Sequence, residues 1–283
     1  MSEAVLRQRE ESPALAAPTF ALPRPGDIAR WLRDGRVAPW LLPLLLLAAW
    51  QIGSSSGAIS DDIFPAPSAV AESAWRLTLN GELANNIAVS FQRAISGFLV
   101  GGGIAFALGL SNGLSRISER LTDTTLQMVR NIPNLSLIPL VILWFGIEEN
   151  AKLFLTSFGV FFPVYINTFH GVRTVDDQLI EMGRSYGMTR WMLFRRVVLP
   201  GALPSIFVGV RYALGIMWLT LIVSETIAAD AGIGHMAMQA REFMQTDVVV
   251  LAILIYAALG KIADSAVRIL ERRALAWHPS FGK

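Results

Sequence analysis

The residue types that carry out most enzyme chemistry are sparse and scattered in this chain of 283 residues. It has no cysteine, which excludes disulfides, thiolate nucleophiles and cysteine-ligated metals. Its three histidines, His170, His235 and His278, are far apart in the sequence, and none belongs to an HExxH pattern. The Gly260-Lys261 pair is followed by isoleucine and lacks the upstream glycine of a P-loop. We therefore expect no catalytic residue, no metal site and no cofactor on this chain, ATP included, and we expect it not to be an enzyme.

Two charged side chains, Arg211 and Glu225, lie in an apolar segment long enough to cross a bilayer. Arg211 follows Pro200 by eleven positions, which at about 1.5 Å per residue places it near mid-bilayer. An arginine there costs roughly 2.5–3.5 kcal/mol on insertion scales, so it requires a cavity or a partner. It could attract an anionic substrate or form a gate, or it could be a fixed ion pair with Glu225, Asp264 or a backbone carbonyl. Glu225 could likewise serve a gate or simply end the segment.

The elements that position these residues are predicted to be membrane helices. Hydrophobic residues make up 53% of the chain and charged residues only 16%, with a mean hydropathy of +0.48, whereas average soluble domains carry about 25% charged residues. Six apolar segments can be distinguished, at residues 39–52, 90–110, 126–145, 153–172, 203–225 and 248–270. In the second segment Gly97-x3-Gly101 and Gly109-x3-Gly113 allow close contact with another helix. The fold class is therefore an all-α polytopic membrane protein with six transmembrane helices.

Arginine and lysine set the expected orientation of these helices. The N-terminal tail, the second and fourth connections and the C-terminus are rich in arginine. The alternate connections hold few basic residues, chiefly Arg76, Lys152 and Arg241. Since basic residues concentrate on the cytoplasmic side, both termini are expected there. We predict a flexible tail over residues 1–36 with a short interfacial helix near 27–34, a transmembrane domain over 37–272, and a C-terminal tail over 273–283.

The third apolar segment carries Pro133 and Pro139 inside its hydrophobic run. Proline removes a backbone donor and clashes with the preceding turn, so we expect this helix to be kinked or locally unwound. Asn131, Asn134 and Ser136 lie near the expected kink. They could satisfy the freed backbone groups or line a polar path.

A charged segment, EMGRSYGMTRWMLFRRVVLP, occupies residues 181–200 between two apolar stretches. Its arginines, which are Arg184, Arg190, Arg195 and Arg196, exclude a position inside the lipid. Apolar residues interrupt the charges at helical spacing, and Gly187 breaks the run. The pattern predicts a short helix, a turn and a second short helix at the membrane surface. A net charge of only +2 does not indicate a nucleic-acid partner.

This segment resembles the EAA loop of binding-protein-dependent ABC importer permeases, written E-A-A-x3-G-x9-I-x-L-P. Here Glu181 is followed by Met182 and Gly183, then by three residues and Gly187, then by nine residues, Val197-Val198 and Leu199-Pro200. The spacing agrees throughout, although the family usually has alanines at the second and third positions. The stretch FPAPSAV at residues 64–70 resembles a loop in the nitrate, sulfonate and taurine branch of these importers.

The resemblance implies a permease subunit of a type I ABC importer in the bacterial inner membrane, most similar to aliphatic sulfonate permeases. It implies a second copy of the chain, two ABC ATPases that bind ATP and Mg, an external substrate-binding protein and the surrounding membrane lipid as partners. Taurine, nitrate, bicarbonate and a pyrimidine precursor stay open as substrates.

The resemblance also implies roles for the loop residues in ATPase coupling. Glu181 would pair with a basic residue of the ATPase or cap the docked helix, with Met182 beside it. Gly183 would permit close packing, and Gly187 would form the turn in a backbone conformation that residues with a β-carbon resist. Leu199 and Pro200 would fix the entry into the fifth membrane helix.

Two alternatives to the importer hypothesis stay open. The charged loop could be an ordinary amphipathic segment whose arginines bind anionic lipid. The chain could also be an autonomous channel or secondary transporter that uses Arg211 and Glu225 as its charge pair.

Overall fold

The computed structural model describes residues 38–57, 60 and 63–277. The tail predicted over 1–36, its interfacial helix near 27–34, and residues 278–283 lie outside the described residues. The chain divides into two compact units, the first ending at Ile52 and the second beginning at Gly53. In the first unit the described residues belong to helix α1, Ala38–Ser55, which is apolar and contains Pro43.

Every regular element described in the second unit is a helix. In chain order these helices are α2 (Pro67–Leu79), α3 (Glu82–Leu114), α4 (Arg116–Arg130), a 3-10 turn (Asn134–Leu137), α5 (Ile138–Phe145), α6 (Glu149–Arg173), α7 (Asp177–Ser185), α8 (Arg190–Leu193), a π turn (Phe194–Val198), α9 (Leu199–Ala228), α10 (Ile233–Glu242) and α11 (Thr246–Ala274). The last helix ends two residues beyond the predicted boundary at 272.

Among the described residues, four helices are long and apolar enough to cross a membrane: α3, α6, the run from α8 into α9, and α11. The α4–α5 pair makes a fifth candidate if it counts as one span, and α1 is apolar but short. The structure is therefore an all-helical membrane fold with four to five candidate spans. The number six and the position of the termini remain predictions from the sequence.

In the second unit α6 packs extensively against both α3 and α9. Small residues permit the α3 contact, because a β-carbon at Gly97 would lie 2.6 Å from Cγ2 of Thr156 and one at Gly101 would overlap the Ser157 carbonyl. Close approach at such residues is the usual basis of helix packing in membranes. The contact predicted from the glycine spacing in this helix is confirmed.

The third predicted segment, 126–145, is broken into two helices. The α4 helix ends at Arg130, and α5 follows the 3-10 turn at an angle of 86°. Pro133 lies in extended backbone at the break, and Pro139 lies in the first turn of α5, where its missing N–H has no helical partner to lose. The expected unwinding is observed, but the first half of the segment begins ten residues earlier than predicted, at Arg116.

Two helices were not predicted from the sequence. Pro67, inside the FPAPSAV stretch, begins α2 rather than lying in a loop. The α10 helix lies in the connection between α9 and α11 and is buried at Ile233, Met236 and Ala240. Neither helix is long or apolar enough to span a membrane, which explains why a search for apolar runs passed over both.

Candidate functional site

The predicted charged loop folds as a helix, a tight turn and a second helix. Asp176 caps α7, accepting a 2.8 Å hydrogen bond from the Gln178 N–H. The helix ends at Ser185, and Gly187, two residues further on, has a φ of +73°. Its N–H donates to the Arg184 carbonyl at 2.9 Å, and the Met188 N–H donates to the Gly183 carbonyl at 3.0 Å. These two bonds form a Schellman motif, so the predicted turn and its left-handed glycine are observed.

The second helix of the loop does not end before the next membrane span. Thr189 caps α8 by accepting from the Met192 N–H at 3.3 Å. The chain then continues through the π turn, where the Leu199 N–H donates to the Phe194 carbonyl, into α9. Pro200 has no N–H to continue the α-helical pattern, and the wider π turn absorbs that loss. Leu199 and Pro200 begin α9 as expected, but the separate second helix is a correction: residues 190–227 form one continuous helical run.

Met182 and Gly183, the two departures from alanine, have different surroundings. Gly183 is buried, and a β-carbon there would lie 2.8 Å from Cδ2 of Leu193. The glycine therefore lets α8 pack against α7 within the loop itself. Met182 is half exposed. Glu181 is exposed, and its carboxylate has no partner among the residues the structure describes.

Large apolar side chains cover the outer surface of the same loop. Leu179 and Met182 lie on α7, Tyr186 follows at helical spacing as the residue that caps its C-terminus, and Trp191 lies on α8. All four are exposed, Tyr186 to 78% and Trp191 to 68%. Exposed apolar groups clustered in this way mark an interaction surface. Leu179, Tyr186 and Trp191 are absent from the predicted site, although the spacing from Leu179 onward carried the signal.

Arg211 is held by carboxylates on the last helix. Its Nε donates to Oδ1 of Asp264 at 3.1 Å, and its Nη1 lies 3.8 Å from Oε2 of Glu271. Asp264 also accepts from Arg268 at 2.8 Å. Asp264 is one of the partners expected from the sequence. Arg211 also borders a cavity of about 410 Å³ beside Tyr212, so the structure contains both the partner and the cavity that its charge requires.

Glu225 is a fully buried carboxylate whose oxygens receive bonds from four other residues. Ser90 donates from Oγ at 2.8 Å, Tyr256 from its hydroxyl at 2.8 Å, and Gly234 from its N–H at 2.9 Å. Arg93 donates from Nη1 at 2.9 Å. Its side-chain exposure is 0%. A buried charge is stable only with such partners, so this carboxylate ties together α3, α9, α10 and α11.

Arg93 extends this cluster to the start of α6. Its Nε donates to Oε2 of Glu149 at 2.7 Å, its Nη2 pairs with Oε1 of the same carboxylate, and its Nη1 also donates to the Ala231 carbonyl. Lys152 lies 3.2 Å from Glu149. Arg93, Glu149, Ser90 and Tyr256 are functional candidates that the sequence analysis missed. The available signal was an arginine inside the first turns of a membrane helix.

The two charge clusters are separate. Arg211 pairs toward α11, whereas Glu225 pairs with Arg93 on α3. The Arg211–Glu225 pair considered from the sequence is therefore not formed. Glu225 lies three residues before the end of α9 at Ala228, so its position near the end of the segment agrees with the sequence.

The polar residues near the α4–α5 break have different surroundings. Asn131 donates to the Gln127 carbonyl at 2.9 Å, one of the roles expected of it. Asn134 is partly buried against α6, where its Nδ2 would lie 3.2 Å from a β-carbon at Gly159. Ser136 is exposed. A polar path along these three residues stays a prediction.

The chain is similar in sequence and in fold to known membrane transport proteins. A family model described as "Binding-protein-dependent transport system inner membrane component" matches residues 97–275. A putative aliphatic sulfonates transport permease protein of Escherichia coli (strain K12) is 57% identical over 90% of this chain and 96% of that protein. One with the same description from Bacillus subtilis (strain 168) is 42% identical over 88% of this chain and 90% of that protein. A crystal structure of an amino acid ABC transporter with histidines covers 71% of this chain and 97% of that chain, with a TM-score of 0.54 and 17% identity, a likeness of fold alone.

Proposed function

The chain belongs to the family of inner membrane components of binding-protein-dependent transport systems, and on that basis we propose that it is the permease subunit through which an ATP-driven importer carries aliphatic sulfonates into the cytoplasm. A multi-pass inner membrane permease of this family is not itself an enzyme. The sulfonate assignment is supported by the similarity to the two permeases described above, over most of the length of each.

We propose that six helices cross the membrane with both termini in the cytoplasm. Under this topology the arginine-rich loop lies on the cytoplasmic side, where ATP is available. A second copy of the chain would complete the path. Two ABC ATPases, which would hold ATP and Mg, would dock on the loops, and an external binding protein would deliver the solute.

The observation that best supports coupling through this loop is its continuity with α9. The exposed apolar surface of Leu179, Met182, Tyr186 and Trp191 offers the ATPase a docking face. Trp191 lies on the helix that runs unbroken from Arg190 to Ile227, so force applied to it would reach the membrane directly. Force applied to the residues on and next to α7 would reach that helix through the turn at Gly187. Closure of the two ATPases would move both loops together and rock the helix bundles between inward-open and outward-open states.

Within the loop, Glu181 and Met182 would contact the ATPase directly because both are exposed. Gly183 and Gly187 would act indirectly by setting the angle between α7 and α8. Leu199 and Pro200 would join the π turn to α9. Arg211 and Glu225, with Asn131, Asn134 and Ser136, would serve the path or its gates.

An autonomous channel or secondary transporter receives no support from the charge pairing, because Arg211 and Glu225 have different partners. Taurine, nitrate, bicarbonate and a pyrimidine precursor are alternative cargoes for the same machine. Selectivity among these solutes would be set mainly by the binding protein.

The test is uptake into proteoliposomes that contain the chain with its ATPase and binding protein. We expect accumulation of an alkanesulfonate only when ATP, the ATPase and the binding protein are all present, with weaker competition by taurine and nitrate. Equal flux through the chain alone, without ATP, would exclude an importer. Preferred uptake of taurine or nitrate would keep the importer and replace its substrate.

A further inference from the structure

A cavity of about 780 Å³ opens between the end of α3, the connection from α6 to α7, and α8. Four arginines line it: Arg116, Arg173, Arg184 and Arg190. Asp177 is the one carboxylate among its lining residues. Four guanidinium groups brought to one concavity by four different elements create a strongly positive potential there.

Most of this positive charge is not neutralised by the chain itself. Arg173 pairs with Glu119 on α4. The other three arginines form no ion pair with any residue in the described part of the chain. Guanidinium groups present planar sets of donors that match the oxygens of phosphate and similar anions. Three of the four arginines that line the cavity therefore lack an anionic partner among the described residues.

The inner wall of the cavity is apolar. Val172, Val175 and Val198 belong to one buried cluster, and with Leu193 they line the cavity beneath the arginines. Gly113 and Leu114, the last two residues of the α3 span, also line it. A basic rim above an apolar wall at the end of a membrane span suits a ligand that is anionic at one end and apolar at the other.

We propose that this basic pocket binds a phosphate-bearing anion, with the headgroup of an anionic phospholipid as its source. Whether the phosphate belongs to a lipid or is free, its oxygens would accept hydrogen bonds from Arg116, Arg184 and Arg190. The lipid is favoured over free phosphate because the pocket lies at the end of two candidate spans and has an apolar wall. Its place in the cytoplasmic leaflet rests on the proposed function, and anionic lipids attract basic clusters on that leaflet.

The bound headgroup would brace the base of the coupling loop. Arg184 belongs to α7, Arg190 to α8 and Arg116 to the start of α4. One anion bridging them would fix the angle between the loop and the membrane domain. The apolar docking surface lies elsewhere on α7, since Leu179, Met182 and Tyr186 do not line the cavity. Lipid and ATPase can therefore bind together.

The experiment uses the full chain without ATPase or binding protein, in nanodiscs of phosphatidylcholine with or without phosphatidylglycerol. Native mass spectrometry counts the phosphatidylglycerol molecules that the chain retains. We expect the triple variant Arg116→Gln, Arg184→Gln, Arg190→Gln to bind phosphatidylglycerol about a hundredfold more weakly, since each basic residue near an anionic surface contributes roughly fivefold. The single variant Arg190→Gln, a milder change to the fold, should lose roughly fivefold.

The matched control removes the same charge outside the pocket, with Arg120→Gln, Arg195→Gln and Arg196→Gln. It should retain phosphatidylglycerol far better than the pocket variant, because its three arginines do not line the cavity and so do not converge on one headgroup. If the two triple variants lost phosphatidylglycerol equally, or if neither lost any, the proposal that this pocket binds the lipid would be wrong. Release of phosphatidylglycerol by millimolar inorganic phosphate would support the shared phosphate chemistry, whereas phosphate binding without any lipid retention would overturn the lipid source. Because the readout needs no transport, its failure is distinguishable from failure of the importer.

Discussion

Glu225 illustrates what burial demands of a single carboxylate in this molecule. Four side-chain or backbone donors converge on its two oxygens from three other helices. The partners Ser90 and Tyr256 lie 135 and 31 positions away in the sequence. The need for a partner could be predicted from a charge in an apolar segment, as it was for Arg211 and Asp264. Which helices would supply the partners of Glu225 could not, because a sequence holds no information on which distant turns meet.

Replacement of Glu225 by glutamine should destabilise the folded chain. In Glu225→Gln one oxygen becomes an NH₂ donor that faces the donors of Ser90, Tyr256 or Gly234, and Arg93 loses a buried counter-charge. Breaking one partner of a buried ion pair costs about 3–5 kcal/mol. We expect a clear fall in the melting temperature of the purified chain, measured by thermal unfolding in detergent. The exposed Glu242→Gln is the control and should melt as the unaltered chain does, and equal melting of both variants would contradict the anchoring role.

Replacement of Arg211 by methionine distinguishes a role in the path from a fixed structural ion pair. In Arg211→Met, Asp264 keeps Arg268 as a partner at 2.8 Å, so we expect the chain still to fold and to copurify with its ATPase. Uptake should be lost if the arginine serves the path. Arg268→Met, which removes the other cation from the same carboxylate, is the control and should retain uptake. Loss of copurification in Arg211→Met would instead assign this residue a fixed structural ion pair.

Among the helices and turns, the turn of the coupling loop could be predicted from the sequence, whereas the helical connection from the loop into the membrane could not. Gly187 followed from local rules, since a glycine that interrupts a helical run in this pattern favours a left-handed turn. The continuous helix from Arg190 could not be predicted in this way. Pro200 indicated that a new helix begins there, and the π turn that compensates for the proline has no recognisable sequence pattern. The break at Pro133 was predictable but its 86° angle was not, because proline interrupts a helix without fixing the direction of the next one.

The element-scale prediction is that Gly187→Val uncouples the loop from transport. Valine at φ +73° carries strain on the order of 1–3 kcal/mol, which the turn relieves by opening and so changing the angle between α7 and α8. We expect stimulation of the ATPase by loaded binding protein to be abolished. Gly81→Val, at φ +79° in the left-handed helical region and likewise with open space around it, imposes a comparable strain outside the loop. That control should retain stimulation, and normal stimulation in Gly187→Val would disprove the coupling role.

At the scale of the whole molecule, composition predicted the class and the fold family but not the number of crossings. Apolar runs identified the four helices that are long enough to span a membrane. The α4–α5 pair is ambiguous for a physical reason: a helix bent by 86° can cross the membrane in two halves or enter and return on one side. The distribution of arginines favours a crossing, since it then places every basic connection on one side.

The absence of cysteine makes this topology directly measurable, since single cysteines can be introduced without altering native ones. In right-side-out spheroplasts, six crossings predict that a membrane-impermeant maleimide labels Asn80→Cys and Gln245→Cys, and labels Ser185→Cys only after permeabilisation. All three positions are exposed in the structure. Gln245 and Ser185 are separated by the single span through α9, so labelling of both in intact cells would contradict the orientation of the coupling loop. Asn80 and Ser185 are separated by α3, the bent pair and α6. Protection of both from the reagent would therefore mean that the bent pair re-enters on one side, because two crossings return the chain to the side where it began.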